Sequence, residues 1–264
     1  VYKRPVITST SNPRIQSARR LRRRSGRDDA GEYLVEGTRA VVAALEVGAP
    51  VRDVFLDPDA PGADAVTAAA QRVELGVTHV SDRVVKALTE STTPQGAVAV
   101  LGAPLDRLDS MDESVDLVLV LAGVSDPGNA GTLIRSAVAA GAGAVIFTTG
   151  CVDVLNPKTV RATAGNLWAT RIIREISLGD AAADLKGRGF ALVGTDASAE
   201  RSHQEVDLGG PSAIVVGNEA WGLPEDARAI VDATVSIRMP GPVESLNAAI
   251  AGSLLLFEAV RQRS

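Results

Sequence analysis

The sequence is poor in the residues that carry redox or metal chemistry. It has one cysteine, Cys151, which excludes an internal disulfide. Its two histidines, His79 and His203, stand far apart and leave no zinc-ligand spacing, so no metal is expected. Aromatic residues make up 3% of the 264, so the core must be built from Val, Leu, Ile and Ala. No apolar run nears the roughly 20 residues that span a bilayer. The start, Val1-Tyr2-Lys3-Arg4-Pro5, leads into polar residues rather than a signal-peptide apolar segment. These absences set the expectation of a soluble, cytoplasmic protein with no membrane partner.

Charge is unevenly spread. The net charge is −5, yet residues 1–27 hold nine basic residues and no acidic one. They are Lys3, Arg4, Arg14, Arg19, Arg20, Arg22, Arg23, Arg24 and Arg27. The rest of the chain carries 18 basic against 32 acidic residues, a net of −14. A basic arm on an acidic body suits nucleic-acid contact. It equally suits a solvated helix face.

Apolar runs alternate between strand and helix patterns, which argues for an α/β layer structure. Asn12-Pro13 reads as an N-cap with proline at the first helical position, opening a short basic helix with Ile15, Ala18 and Leu21 inward. Strands are expected at 33–35, 51–56, 77–80 and 96–101, with helices at 38–45, capped by Thr38, and at 64–75 and 82–88. Residues 104–115 are polar, acidic and aperiodic, and read as a linker between domains 1–103 and 116–264. The second half begins with the fully apolar strand 117–121. Further strands follow at 144–147, 172–175, 190–194, 213–216 and 234–237. Helices are expected at 130–140, 157–164, 181–186 and, to close the chain, 244–261.

Three clusters in the second half carry the chemistry. The first, Asp126-Pro127-Gly128-Asn129-Ala130-Gly131-Thr132-Leu133-Ile134-Arg135, is a glycine-rich turn opening a helix. Such a turn can present N–H groups to an anion, though it matches neither the dinucleotide nor the P-loop spacing. Arg135 can clamp a phosphate or serve as an ordinary surface arginine. The second, Gly217-Asn218-Glu219-Ala220-Trp221-Gly222-Leu223-Pro224, follows a strand, where ligands gather in open α/β sheets. Glu219 there can bind a donor or favour a helix start. The third runs from Ile237 through Pro240-Gly241-Pro242 to Glu244-Ser245-Leu246-Asn247. It is a rigid loop before a helix, whose Ser245 and Asn247 are of cap-forming types.

Together the clusters resemble the three motifs of the SpoU (TrmH-like) family of RNA 2′-O-ribose methyltransferases, within the SPOUT superfamily. Motif one corresponds to Asn129, Gly131 and Arg135. Motif two, Gly-x-Glu-x-x-Gly, corresponds to Gly217, Glu219 and Gly222, and motif three to Ser245-Leu246-Asn247. The resemblance covers residues 116–264. Where many relatives continue with Val and a small polar residue, this chain has Ala248-Ala249. The resemblance implies a C-terminal domain with a deep trefoil knot, against the usual rule on threading. It also implies a smaller N-terminal L30e-like α/β domain that binds substrate. S-adenosyl-L-methionine is the implied cofactor, held at Thr195, Gly217, Ile237 and Leu246. Arg135, Asn129, Glu219, Ser245 and Asn247 are the implied catalytic residues. Asn129 and Glu219 would orient Arg135, which acts either as base or as a cation stabilising the forming alkoxide. Arg19, Arg20, Arg22, Arg23 and Arg24 are the expected RNA contacts. The implied assembly is a homodimer through the C-terminal domain, with a stripe of Leu246, Ile250, Leu254 and Phe257 on the last helix either in the interface or in its own core. Structured RNA is the expected partner, and the two-domain layout resembles rRNA-modifying members. A tRNA ribose methyltransferase and a non-catalytic RNA-binding module of the same fold are the alternatives. A nicotinamide-dependent oxidoreductase is disfavoured by the missing fingerprint.

Overall fold

The computed structural model describes residues 5–91 and 93–264. The expected basic residues Lys3 and Arg4 lie outside the described residues. The chain forms two compact units: Val1–Ala103 with Leu155–Trp168, and Pro104–Val154 with Ala169–Ser264.

Unit 1 opens with α1 (Pro13–Arg20), where the Asn12 side chain accepts from the Arg14 N–H at 3.0 Å. A second helix, α2 (Arg24–Ala30), was not foreseen. Its sequence has almost no apolar stripe, and it is held by close approach instead. A Cβ at Gly26 would meet the Arg20 carbonyl oxygen at 2.2 Å. The buried Arg27 donates to the Leu21 and Arg22 carbonyls, both at 3.0 Å. There follow β1 (Glu32–Glu36), α3 (Thr38–Glu46), β2 (Val51–Leu56), α4 (Ala63–Arg72), β3 (Val77–His79), α5 (Asp82–Leu88) and β4 (Ala97–Gly102). The sheet order is β1-β4-β2-β3, with β4 antiparallel to both neighbours. Ile15, Ala18 and Leu21 pack with Phe55, Val84, Leu88 and Val98 in one core cluster. Thr38 does not cap α3; the cap position is Gly37, at φ +100°, and no side chain bonds the helix start.

Unit 2 begins inside the expected linker. Residues 104–115 supply β5 (Leu105–Asp106), which pairs with a later strand, and a 3-10 turn at Leu108–Ser110. Two residues of ladder are too short to leave a period in sequence. The unit continues with β6 (Leu117–Leu121), α6 (Pro127–Ala139) and β7 (Ala144–Thr148). The chain then gives residues 155–168, with α7 (Pro157–Ala162), to unit 1, so the expected boundary near 116 is crossed twice more. Back in unit 2 come β8 (Arg171–Ile176), α8 (Leu178–Gly187), β9 (Ala191–Thr195), β10 (Ser212–Val216), α9 (Glu225–Ile230), β11 (Ala233–Val235) and α10 (Ala248–Arg263).

The sheet order is β11-β9-β10-β6-β7-β8-β5, and every pairing is parallel. The central strands β6, β7 and β10 are buried along their whole length, as apolar runs in a covered parallel sheet must be. The last helix starts four residues later than expected, because Asn247 is its N-cap and accepts from the Ala249 and Ile250 N–H groups at 2.9 and 3.2 Å. It lies close on α6 and β10. A Cβ at Gly252 would meet Leu133 and Val216 side-chain carbons at 2.6 and 2.7 Å. Its far end is fixed by Arg263, which donates to the Leu208 and Gly210 carbonyls at 2.9 and 2.7 Å.

Candidate active site

Strand order reverses at β6, which has β7 on one side and β10 on the other. Ligands of open parallel sheets collect at the carboxyl ends of the strands near such a point. Here the loops after β6 and β10 meet there.

Glu219, in the turn after β10, is the centre of the junction. One carboxylate oxygen accepts from the Ser125 N–H at 3.1 Å and the Ser125 hydroxyl at 3.0 Å. The other accepts from the Asp126 N–H at 3.0 Å and the Asn129 amide at 3.1 Å. Asn129 in turn accepts from Asn247 at 2.8 Å, so residues from all three clusters form one chain of hydrogen bonds. Partial burial by itself raises the Glu219 pKa, but the donors more than offset it and hold the carboxyl at about 2. Glu219 is therefore an anion at neutral pH.

Local geometry explains the glycines. Asn218 and Gly222 exchange N–H···O bonds of 2.9 Å each, closing a tight turn. A Cβ at Gly217 would meet the Gly222 carbonyl carbon at 2.3 Å, and Gly222 has φ +66°. Asn218 adds a bond to the Gly123 carbonyl at 2.9 Å, tying the turn to the loop after β6. Asp126 caps α6 by accepting from the Asn129 N–H at 2.8 Å, which aims Asn129 at Glu219.

Beside this network lies a cavity of about 390 Å³. The expected cofactor residues Thr195, Gly217, Ile237 and Leu246 all line it, as do Glu219 and Ser245. The volume is in the range of small-molecule sites. Asp196, Asn218, Trp221, Arg228 and Met239 also line it and were not foreseen. Asp196 is held by Arg228 at 3.0 Å and by the Ser198 hydroxyl at 2.8 Å. Its place immediately after β9 was the available signal, since strand ends form such sites. Trp221 is 75% exposed.

Arg135 is not brought into the network. It is exposed on α6, and the side chains of Asn129 and Glu219 bond Ser125, Asp126, Asn247 and each other rather than it.

Two family models match the chain: the SpoU rRNA Methylase family over residues 116–257, and an MRM3-like substrate binding domain over residues 12–99. The chain belongs to the SpoU rRNA methylase family. A 23S rRNA (uridine(2479)-2′-O)-methyltransferase of Streptomyces viridochromogenes is 35% identical over 92% of this chain and 87% of its own. The 23S rRNA (guanosine(2553)-2′-O)-methyltransferase RlmP of Bacillus subtilis is 29% identical over 95% of this chain and 97% of its own. Among solved structures, the AdoMet-bound rRNA methyltransferase from Sinorhizobium meliloti superposes with TM-score 0.84 at 30% identity, covering 97% of both chains. The SpoU methyltransferase AviRb from Streptomyces viridochromogenes, in complex with AdoMet, gives TM-score 0.83 at 34% identity, covering 96% of this chain and 98% of its own.

The expected RNA contacts divide. Arg22 is half-buried and donates to the Ala87 carbonyl at 3.2 Å, with Glu90 at 3.9 Å. Arg24 pairs with Asp28 at 3.5 Å. Arg19, Arg20 and Arg23 are exposed and, with Arg22, line an open cleft of about 790 Å³. Outside the expected five, Arg14 pairs with Asp53 and stacks 5.8 Å from the Phe55 ring centre. No group of metal-ligand type occurs among the described residues, and no helix there is long and apolar enough to cross a membrane.

Proposed function

We propose that this chain transfers a methyl group from S-adenosyl-L-methionine to a ribose 2′-hydroxyl of 23S-type rRNA in the cytoplasm. The observation that carries the reading is the hydrogen-bonded union of Asn129, Glu219 and Asn247 beside a cavity lined by Thr195, Gly217, Ile237 and Leu246. The cofactor fits this lining: the cavity is large enough, its wall is mixed polar and apolar, and loop backbone at Gly217 approaches it without a side chain. When bound, it supplies an electrophilic methyl on a sulfonium.

The chain's residues do the rest by positioning, which can contribute about 7–11 kcal/mol to such a reaction. Glu219 and Asn129 hold the loops after β6 and β10 in fixed register. Ser245, at the cavity wall, binds substrate or shapes the cofactor loop. Arg135 acts as the cation that binds the adjacent phosphate and stabilises charge on the ribose oxygen. The 35% identical relative that acts on 23S rRNA supports rRNA over tRNA.

Two further features belong to the reading. The C-terminal segment is threaded as a trefoil knot, supported by the non-sequential strand order and by the bond from Asn247 back to Asn129. The chain works as a homodimer through α10. Ile250, Leu254 and Phe257 lie one to two turns apart on that helix and are 52%, 41% and 48% exposed, an apolar stripe that a second copy would cover. Size-exclusion chromatography with light scattering tests the dimer: Leu254→Glu should yield a monomer, and an unchanged mass would contradict the stripe's role. Methyl transfer from labelled S-adenosylmethionine to separated rRNA and tRNA tests the reaction.

A further inference from the structure

Unit 1 contains a second cavity, whose wall includes no residue of α1 or α2. It is a cavity of about 260 Å³ whose lining includes Glu36, Arg39, Thr89, Gln95 and Arg161. At roughly 30 Å³ per water, it holds far more than one ordered water or lone ion. Three independent features of its wall point to a ligand. The nine-residue α3 begins at the cavity on Gly37, with no side chain capping its first turn, so its N–H groups and dipole are available to an anion. Arg39, in that first turn, is exposed and makes no hydrogen bond or ion pair with the described residues. Thr89 is 4% exposed, yet its buried hydroxyl has no hydrogen-bond partner among the described residues. An unsatisfied buried hydroxyl costs stability unless something completes it.

Another part of the wall is fixed. Glu36 is buried and accepts from Arg161 at 2.9 Å and from the Glu90 N–H at 3.3 Å. That pairing cancels the carboxylate charge, leaving Arg39 and the helix start as the unbalanced positive end. Arg161 comes from α7, the segment that leaves the methylase-matching region to join unit 1. The site is thus completed by two distant stretches of chain.

We propose that this cavity binds one nucleotide of the RNA substrate, with its phosphodiester on Arg39 and the start of α3 and its polar edge completing Thr89. The proposal rests on the reading of the chain as an RNA-acting enzyme and adds to it a site outside the methyl-transfer cavity. Single-stranded, unstacked nucleotides are what such pockets take. A cationic group and a lone hydroxyl in one wall suit a nucleotide, which carries both charge and polar edges, better than a bare anion.

The test uses the full chain and a protein-free 23S-type rRNA transcript, with filter-binding constants measured across salt concentration. Arg39→Gln should weaken binding about tenfold and lower the salt slope by about one. Thr89→Val, which keeps shape and removes the hydroxyl, should weaken binding roughly threefold with the slope unchanged. The S-adenosylmethionine dissociation constant should stay at the wild-type value in both, which separates a local effect from misfolding. Wild-type RNA affinity in both variants overturns the proposal. Inorganic phosphate titrated alone is the second arm: phosphate binding lost in Arg39→Gln, with RNA affinity unaltered, would overturn the nucleotide assignment in favour of a free anion. Because RNA binding is read directly, a wild-type chain that binds the transcript but methylates nothing would count against the methyl-transfer reading and leave the pocket standing on its own numbers.

Discussion

Glu219 and the arginines of the first two helices are both charged groups singled out by type and spacing, but the fold treats them differently. Glu219 is fully committed. Its two oxygens collect four donors from the loop after β6 and from α6, within 3.1 Å. The arginines share their work: Arg27 braces the junction of the two helices, Arg22 reaches the Ala87 carbonyl of α5, Arg24 pairs on its own helix, and Arg19, Arg20 and Arg23 face solvent. A short carboxylate in a glycine turn has one place to go. A long guanidinium has many, and a charge run does not say which are already spent.

The comparison is broken most sharply at the reacting centre. Arg135→Ala should lower methyl transfer about a thousandfold while leaving cofactor affinity within a few-fold, because Arg135 is not among the residues that line the cavity. Equal loss of cofactor binding would make Arg135 structural. Glu219→Gln should lower turnover about a hundredfold and cost about 2 kcal/mol of stability, since one accepting oxygen becomes an NH2 that leaves its donors unanswered and the remaining oxygen loses its charge. Chemical denaturation with parallel turnover checks both numbers.

The same carboxylate sharpens the comparison through pH. Its folded pKa, about 2, lies below the ordinary value of 4.5. Its contribution to stability is therefore complete above about pH 4.5 and is lost as pH falls toward 2. The stability gap between wild type and Glu219→Gln should narrow over that window. A gap constant from pH 5 down to pH 2 would mean that the hydrogen bonds do not favour the charged form.

The smallest effects belong to the arginines. Replacing Arg19, Arg20 and Arg23 by Gln should reduce the salt slope of RNA binding by about two to three. Replacing Arg24 alone should change it by less than one, since Asp28 already answers that charge. Equal slopes for the two variants would erase the distinction drawn between free and committed arginines.

Legibility in the sequence follows the same division. The expected limits of the buried strand 117–121 match the observed ones, because a continuous apolar run bounded by turns has few alternatives; strand 51–56 also matches, although Arg52 and Asp53 interrupt its apolar run. The motif positions were readable as positions: Gly217 has no room for a Cβ, and Gly222 sits at φ +66°, where side chains are disfavoured. What could not be read was partnership. Arg135 follows Asn129 on one helix, yet the amide turns to Glu219. Residues 104–115 look like a linker, yet two of them extend a sheet, and α7 folds with unit 1 although it lies within the methylase-matching stretch. Long-range placement of this kind leaves no local period. The Asp196–Arg228 pair at the cavity wall was missed for the same reason, as its partners are far apart in the chain.

The most direct test of the central claim is methyl transfer from labelled S-adenosylmethionine to protein-free 23S-type rRNA, followed by mapping of the modified nucleotide. The account predicts label at a single ribose 2′-oxygen, lost in Arg135→Ala. Label on a base, or cofactor binding without label in any RNA, would contradict it.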